Sequence, residues 1–174
     1  SLEELHKVGA VVLDKTGTIT EGKPEVTGIY WNEGISAGIY MPVLLELESQ
    51  SEHPLAGAVV TYLTEMGITA GRDGSFESIT GQGVRGRIAG KDYYIGNRRL
   101  LEAQSIVVSG ELQDWVQELQ LAGNTVVHFA DEHKVLAVIG IADRIKPTSA
   151  EAVSRLKKMG VEVYMLTGDN AVTA

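Results

Sequence analysis

The sequence predicts an α/β protein in which the two ends of the chain form one domain and the middle forms another. Two short apolar runs, one near each end of the 174 residues, stop on polar turns, as strands of a parallel sheet often do. Between them, alternating segments, hairpin turns and amphipathic helices indicate an inserted α+β domain built on an antiparallel sheet. These patterns place one domain at 1–22 and 142–174, and the inserted domain at 23–141.

The first domain begins with a short helical turn at 2–7 and a buried strand at 9–13. The strand runs directly into Asp14, and the segment 14–18 (DKTGT) places hydroxyl groups and a glycine around that carboxylate. Asp and Gly are also common turn residues, so this segment alone fits a turn as well as a chemical site.

The inserted domain opens with a strand and two helices. Alternation of apolar and polar residues at 25–31 predicts a strand with one exposed face. The segment 42–48 is predicted to be helical, and a second helix begins at Pro54, because proline suits the first helical turn. Apolar residues then recur at helical spacing until Gly67 ends the helix.

A glycine-rich segment follows and is predicted to be mostly β-structure. Strands within 76–88 and at 93–95 flank a turn at 89–92. Ser109 can then cap a helix that Gly123 ends.

The last part of the chain returns to a strand–helix–strand pattern. Apolar segments at 125–129 and 135–142 form a predicted hairpin. A helix over 147–159 ends at Gly160, and an apolar strand at 161–166 follows it.

The composition excludes several classes of function. The formal net charge is -8, with 23 acidic and 15 basic side chains, so the surface repels nucleic acid and no such partner is expected. The chain has no cysteine, which excludes a disulfide partner and thiolate chemistry. No apolar run approaches the roughly 20 residues that cross a bilayer, and the first five residues do not resemble a signal peptide. We therefore expect a soluble chain of cytosolic character.

Two carboxylates follow the two strands at the ends of the chain. Asp14 follows the first strand and Asp169 follows the last one, and ligands gather beyond the carboxyl ends of parallel strands. A carboxylate is ionised at neutral pH and can attack phosphorus without a base, giving an acyl phosphate, or hold Mg²⁺. Neighbouring hydroxyl and amide groups can stabilise the oxygens of a transferring phosphoryl group.

These segments resemble, in order, the motifs of the P-type ATPases. The segment 14–18 resembles their phosphorylation signature, 167–169 (TGD) their second phosphate motif, and 143–147 (DRIKP) their hinge. The resemblance implies a haloacid dehalogenase-like, Rossmann-type phosphorylation domain in which ATP phosphorylates Asp14. It also implies that Mg²⁺ is held by Asp14 and the carbonyl of Thr16. The catalytic residues that it implies are Asp14, Lys15, Thr16, Thr18, Thr167, Gly168 and Asp169.

Thr16 separates a pump from the soluble phosphatases of the haloacid dehalogenase-like superfamily. Those phosphatases usually carry a second Asp two residues after the nucleophile, which protonates the leaving group and then activates water. A threonine does not exchange protons usefully at neutral pH, so the acyl phosphate at Asp14 is expected to persist.

The inserted domain resembles the heavy-metal branch of this family. The segments 51–54 (SEHP), 81–83 (GQG) and 96–97 (GN) match its nucleotide motifs. The resemblance implies that ATP binds between the first segment and the glycines. Side chains there would accept a hydrogen bond from the base, stack on it, and bond to its polar edge through an amide. Domain closure would then bring the terminal phosphate of ATP to Asp14. The implied nucleotide-binding residues are Glu52, His53, Gly81, Gly83, Gly96 and Asn97.

The resemblance identifies the chain as the ATP-binding and phosphorylation region of a heavy-metal pump. Similarity of 51–54 and 96–100 (GNRRL) to copper pumps favours copper, with zinc or cadmium next. The implied partners are the rest of the phosphorylation domain, the actuator domain and the transmembrane domain, and the implied location is the cytoplasmic side of a membrane protein.

Two alternatives stay open on the residues alone. One is a soluble phosphatase with a large cap domain, and the other is a module that binds nucleotide without turnover. The family also places a Gly-Asp-Gly-x-Asn-Asp motif with a Mg²⁺ ligand after the Thr-Gly-Asp strand, and residues 1–174 contain no such motif. We therefore expect an incomplete phosphorylation domain, with nucleotide binding but without full turnover by this chain alone.

Overall fold

The computed structural model describes residues 8–71 and 74–166. The chain divides into two compact units, one containing Ser1–Lys23 and Asp143–Ala174 and the other Pro24–Ala142. Both boundaries fall inside strands, which are β2 (Thr20–Trp31) and β7 (Val135–Ile145). Because β2 and β7 are neighbours in one sheet, the chain enters and leaves the inserted unit through adjacent strands.

In its described residues, the unit made from the chain ends contains a parallel strand pair and a ten-residue helix. Strands β1 (Ala10–Asp14) and β8 (Glu162–Leu166) pair in parallel, with Asp14 opposite Leu166. Both strands therefore end at the same edge of the sheet, as predicted for parallel strands. The helix α5 (Ser149–Lys158) precedes β8 and has three basic residues in its last turn, where the helix dipole favours positive charge.

The inserted unit is built on a six-stranded sheet, whose strands not yet defined are β3 (Ser75–Ile79), β4 (Gly83–Ile88), β5 (Lys91–Gly96) and β6 (Thr125–Asp131). The order of the strands across the sheet is β2-β7-β6-β5-β4-β3. Successive strands from β3 to β7 pair in antiparallel fashion, which confirms the predicted antiparallel sheet.

Helices cover both faces of this sheet. They are α1 (Ala37–Glu48) and α2 (Pro54–Glu65) on one face and α3 (Arg98–Ala103) and α4 (Gly110–Leu121) on the other. Side chains that alternate along a strand point to opposite faces, so Phe129 joins the cluster with helices α1 and α2, whereas Ala130 joins the cluster with α3 and α4. This arrangement explains why β7 reads as an unbroken apolar run.

Two helices differ from the sequence-based expectation. The helix α1 begins at Ala37 rather than at residue 42, and Pro42 lies in its interior, where a proline costs ~3 kcal/mol. Tyr40 and Met41 pack against the core in the added turn, and this burial offsets that cost. The short helix α3 was not predicted, because its six residues are too few to show a helical period.

In the part of the chain that the structure describes, each helix is too short or too polar to cross a lipid bilayer.

Candidate functional site

The carboxylate of Asp14 is exposed at the end of β1. Its backbone is still extended, with φ -69° and ψ 140°, and the next residues, Lys15–Ile19, form a single π-helical turn. Such turns are rare and often occur at functional sites. The Asp14 side chain makes no capping hydrogen bond to this turn, which leaves its oxygens available to a ligand.

A buried hydroxyl and a carboxylate hold the end of this turn. Thr20 is only 1% exposed, and its Oγ1 accepts a hydrogen bond from the amide of Gly17 at 3.0 Å. The same Oγ1 lies 2.5 Å from Oδ2 of Asp143, to which it donates. Asp143 also accepts from the amides of Gly22 at 3.2 Å and Lys23 at 3.1 Å. Asp143 therefore ties β7 to the chain that leaves the turn.

The residues after Asp143 hold the turn itself. Lys146 Nζ donates to the carbonyl of Gly17 at 2.5 Å, and the Lys146 amide donates to the carbonyl of Ile19 at 3.0 Å. The hydroxyl of Ser149 donates to the same Ile19 carbonyl at 2.7 Å. The segment 143–149 thus fixes the backbone of residues 17–23 through contacts more than 100 positions apart in sequence.

The structure describes only some of the other residues predicted for this site. Thr18 lies exposed in the π-helical turn, which also contains Lys15. The side chain of Thr16 lies outside the described part of the chain, and so do Thr167, Gly168 and Asp169.

In the inserted unit, two glycine motifs that are separate in sequence meet at the start of β4 and the end of β5. Gly83 and Gly96 are directly paired across these strands. A Cβ on Gly83 would overlap the carbonyl oxygen of Ile95, and a Cβ on Gly96 would overlap the carbonyl oxygen of Gln82. Both positions therefore require glycine because the two backbones approach so closely.

Asn97 joins the two motifs. Its Nδ2 donates to the carbonyl of Gly81 at 2.9 Å, and its backbone amide donates to the carbonyl of Gln82 at 2.8 Å. Its Oδ1 accepts from the amide of Leu100 at 3.3 Å and caps α3. The carboxamide of Asn97 is exposed but already has structural partners, and one of its two N–H groups remains for a ligand.

His53 caps α2 and faces solvent. Its Nδ1 accepts from the amide of Leu55 at 3.2 Å, so the neutral ring carries its proton on Nε2. The exposed ring therefore presents an N–H donor outward, next to the exposed carboxylate of Glu52. The cap bond gives His53 a structural role, and the outer edge of the ring remains available for a ligand.

Glu48 belongs to the same region but was missed by sequence reasoning. It is the last residue of α1, it is 5% exposed, and burial raises its pKa to about 7. Its carbonyl accepts from the amide of Ser51, which starts the turn that leads to His53. The signal was present in the sequence, since Glu48 lies on the same helical stripe as the buried Leu44 and Leu45.

Comparison with known proteins places the chain in a family. Residues 8–174 match the haloacid dehalogenase-like hydrolases. The chain belongs to this family. The predicted fold class, with its haloacid dehalogenase-like part and its antiparallel sheet, is therefore confirmed.

Relatives of this haloacid dehalogenase-like chain include P-type ATPases that are named as copper exporters or copper importers. A copper-exporting P-type ATPase of Staphylococcus epidermidis is 36% identical over 173 residues, which are 99% of this chain and 21% of the relative. A probable copper-importing P-type ATPase of Enterococcus hirae is 38% identical over 170 residues, which are 98% of this chain and 23% of the relative. The chain thus spans less than a quarter of the length of these relatives.

Similar solved structures also come from heavy-metal ATPases. A crystal structure of a zinc-transporting PIB-type ATPase has a TM-score of 0.66 and 31% identity, covering 99% of this chain and 27% of that one. A catalytic CPx-ATPase domain has a TM-score of 0.68 at 24% identity, covering 98% of this chain and 56% of that one, and it shows the shared fold. The predicted resemblance to heavy-metal P-type ATPases is confirmed.

Proposed function

We propose that this chain is the ATP-binding and phosphorylation region of a copper-transporting P-type ATPase. The observation that carries the proposal is the exposed carboxylate of Asp14, free of a capping bond, at the edge of a parallel sheet in a chain that aligns throughout with such ATPases. In this proposal, 1–22 and 142–174 are phosphorylation domain and 23–141 is nucleotide-binding domain. Names of relatives include both export and import, so the direction of transport is not part of the proposal.

The chemistry at Asp14 is the transfer of a phosphoryl group. A carboxylate oxygen of Asp14 forms a bond to the terminal phosphorus of ATP, while the bond from that phosphorus to the bridging oxygen breaks and ADP leaves. Thr16 stands where a phosphatase has its acid, so water is not activated and the acyl phosphate persists. The amide of Gly17 is already bonded to Thr20, which leaves the other amides and hydroxyls of the turn to contact the phosphoryl oxygens.

The donor set also suits Mg²⁺. The exposed carboxylate of Asp14 and the carbonyl of Thr16 are oxygen ligands of the kind that Mg²⁺ prefers, and these two residues would hold it. When bound, the ion neutralises charge on the phosphate oxygens.

The base of ATP is assigned to the junction between α1 and α2. There His53 presents its Nε2–H donor, and Glu52 supplies an exposed carboxylate. Leu47, next to Glu48, touches Gly86 of β4, so this junction lies over the strand that begins at Gly83. Gly81, which has open space where a Cβ would stand, then lets the nucleotide approach the turn before β4 without hindrance from a side chain.

The phosphorylation of Asp14 is tested in the full-length pump that contains this chain. We expect incubation with radiolabelled ATP to form an acid-stable, hydroxylamine-sensitive phosphoenzyme, and we expect Asp14→Asn to abolish it, because an amide is not a nucleophile here. The matched control is Asp114→Asn on the polar side of α4, which leaves labelling unchanged. Persistent labelling of Asp14→Asn would assign the nucleophile to another residue.

A further inference from the structure

His128 is a buried histidine with a single polar contact to the nucleotide motifs. It lies in β6, is 4% exposed, and shares the sheet face beneath α3 and α4 with Val138, the residue opposite it in β7. Its Nδ1 is 3.3 Å from the carbonyl oxygen of Gly96. A carbonyl oxygen can only accept, so the proton of this bond belongs to Nδ1 of His128.

The contact reaches the glycine pair from the adjacent strand. Gly83, Gly96 and His128 form a row across β4, β5 and β6, since Gly96 is paired with Gly83 on one side and with His128 on the other. Gly96 immediately precedes Asn97, whose amide and side chain hold Gln82 and Gly81. A shift of the Gly96 peptide would therefore move every contact that joins the two glycine motifs.

Packing alone does not require a histidine at this place. An apolar side chain would fill the buried position without the cost of desolvating an imidazole. Burial lowers the pKa of His128, the positive charge of Arg98 acts in the same direction, and the bond to Gly96 opposes both. The neutral ring is thus favoured at neutral pH, with its proton on Nδ1 for the bond to Gly96.

We propose that His128 is a positioning residue for the nucleotide site, which sets the Gly96–Asn97 peptide through its Nδ1–H bond to the Gly96 carbonyl. The inference rests on the proposed function, because it assigns His128 to the ATP site named there. His128 itself touches no ligand in this proposal and acts only through the backbone of Gly96.

Titration calorimetry with Mg-ATP on the 174-residue chain tests this role. We expect His128→Leu, which keeps the volume and removes the donor, to weaken ATP binding about fivefold, the effect of one net hydrogen bond. We expect His128→Asn to restore the affinity to within about twofold, because its amide can donate from nearly the same place as Nδ1. Chemical shifts of the Gly96 and Asn97 amides should move in the Leu variant and return in the Asn variant.

The matched control is Val138→Ala, which removes buried volume beside His128 without touching Gly96. It should lower the free energy of unfolding and leave ATP affinity unchanged. An equal loss of affinity in Val138→Ala, or unchanged affinity in His128→Leu, would overturn the positioning role.

The ring tautomer provides a test that needs no variant. Nitrogen-15 spectra of the unsubstituted chain should show His128 protonated on Nδ1, and a proton on Nε2 alone would overturn the proposal. Failure of the unsubstituted chain to bind Mg-ATP would overturn the proposed function and this inference with it. ATP binding with an insensitive His128→Leu variant would overturn the inference alone.

Discussion

The carboxyl group of Glu48 is buried at the end of α1, and this burial makes the stability of the chain depend on pH. Burial raises its pKa from 4.5 to about 7. The folded state therefore holds this proton to higher pH than the unfolded state does, and its stability falls as pH rises from about 4.5 to about 7. The shift corresponds to ~3 kcal/mol, all of which is lost above the folded-state pKa.

Replacing Glu48 with glutamine should remove this dependence. We expect Glu48→Gln to leave the free energy of unfolding nearly unchanged at pH 4 and to raise it by up to ~3 kcal/mol at pH 8, because no charge is then buried. Urea unfolding at both pH values measures the effect. Glu65→Gln, an exposed position in the last turn of α2, is the control and should change neither value. A Glu48→Gln variant less stable than the unsubstituted chain at pH 8 would contradict the assigned cause.

The two roles of His53 can be separated by one substitution. Asparagine is a good helix cap, so His53→Asn keeps an acceptor for the Leu55 amide while it removes the outer edge of the ring. We expect unchanged stability and ATP binding about tenfold weaker by calorimetry, since the Nε2–H donor is lost. His133→Asn, exposed in the hairpin turn, should bind ATP normally. Unchanged affinity in His53→Asn would restrict His53 to capping.

The sequence predicts those parts of the site that neighbouring residues specify, and it does not predict contacts between distant residues. Asp14 and the start of α2 at Pro54 could be located because each lies at a strand or helix end with characteristic residues. The contacts of Thr20, Asp143 and Ser149 could not, since they join positions more than 100 residues apart. A single sequence without pairing information does not show which hydroxyl meets which carboxylate.

At the scale of elements, the π-helical turn is held by residues from β7 and the start of α5. The only side-chain hydroxyl that bonds the Gly17 amide, among the described contacts, is that of Thr20, which also donates to Asp143. This chain of bonds connects the turn after Asp14 to the segment 143–149. The described contacts between the turn and the segment 143–149 are hydrogen bonds, and we expect the stability of the turn to depend on them.

Removing the Thr20 hydroxyl should loosen this turn. Thr20→Val keeps the shape but leaves the Gly17 amide without its acceptor and removes one of the donors to Asp143, at a cost of about 1–3 kcal/mol. We expect the Gly17 amide to lose hydrogen-exchange protection and phosphoenzyme formation in the full-length pump to slow. Ser154→Ala, exposed on α5, is the control and should leave exchange at Gly17 unchanged. Full protection of Gly17 in Thr20→Val would show that the turn does not depend on this bond.

The ends of helices and strands were predicted where neighbouring residues determine them, and not where distant contacts do. The helix that begins at Pro54 and the hairpin of β6 and β7 were predicted because caps, turns and periodicity all agree there. The start of α1 was wrong because Tyr40 and Met41 find core contacts that outweigh Pro42. Burial of this kind is decided by the assembled sheet and leaves no mark on the local sequence.

At the scale of the whole molecule, the inserted unit contains both apolar clusters found among the described residues. Every buried residue of the two clusters lies between Leu44 and Ile141, and so does each residue proposed to bind nucleotide. The chain crosses into this unit through β2 and out through β7, which are adjacent strands. The unit therefore has its own core, and its two ends lie on neighbouring strands, as in domains that fold when they are isolated.

A polypeptide of residues 24–142 should consequently fold and bind ATP by itself. We expect a single cooperative urea transition, because both clusters are retained, and a dissociation constant for ATP within about threefold of that of the full 1–174 chain. Calorimetry on both proteins makes the comparison, with His53→Asn in the short protein as the matched control for specific binding. A short protein that folds cooperatively but binds ATP at least about tenfold more weakly would move part of the nucleotide site into the unit that contains Asp14. A short protein without a cooperative transition would show that the inserted unit needs the chain ends for its stability.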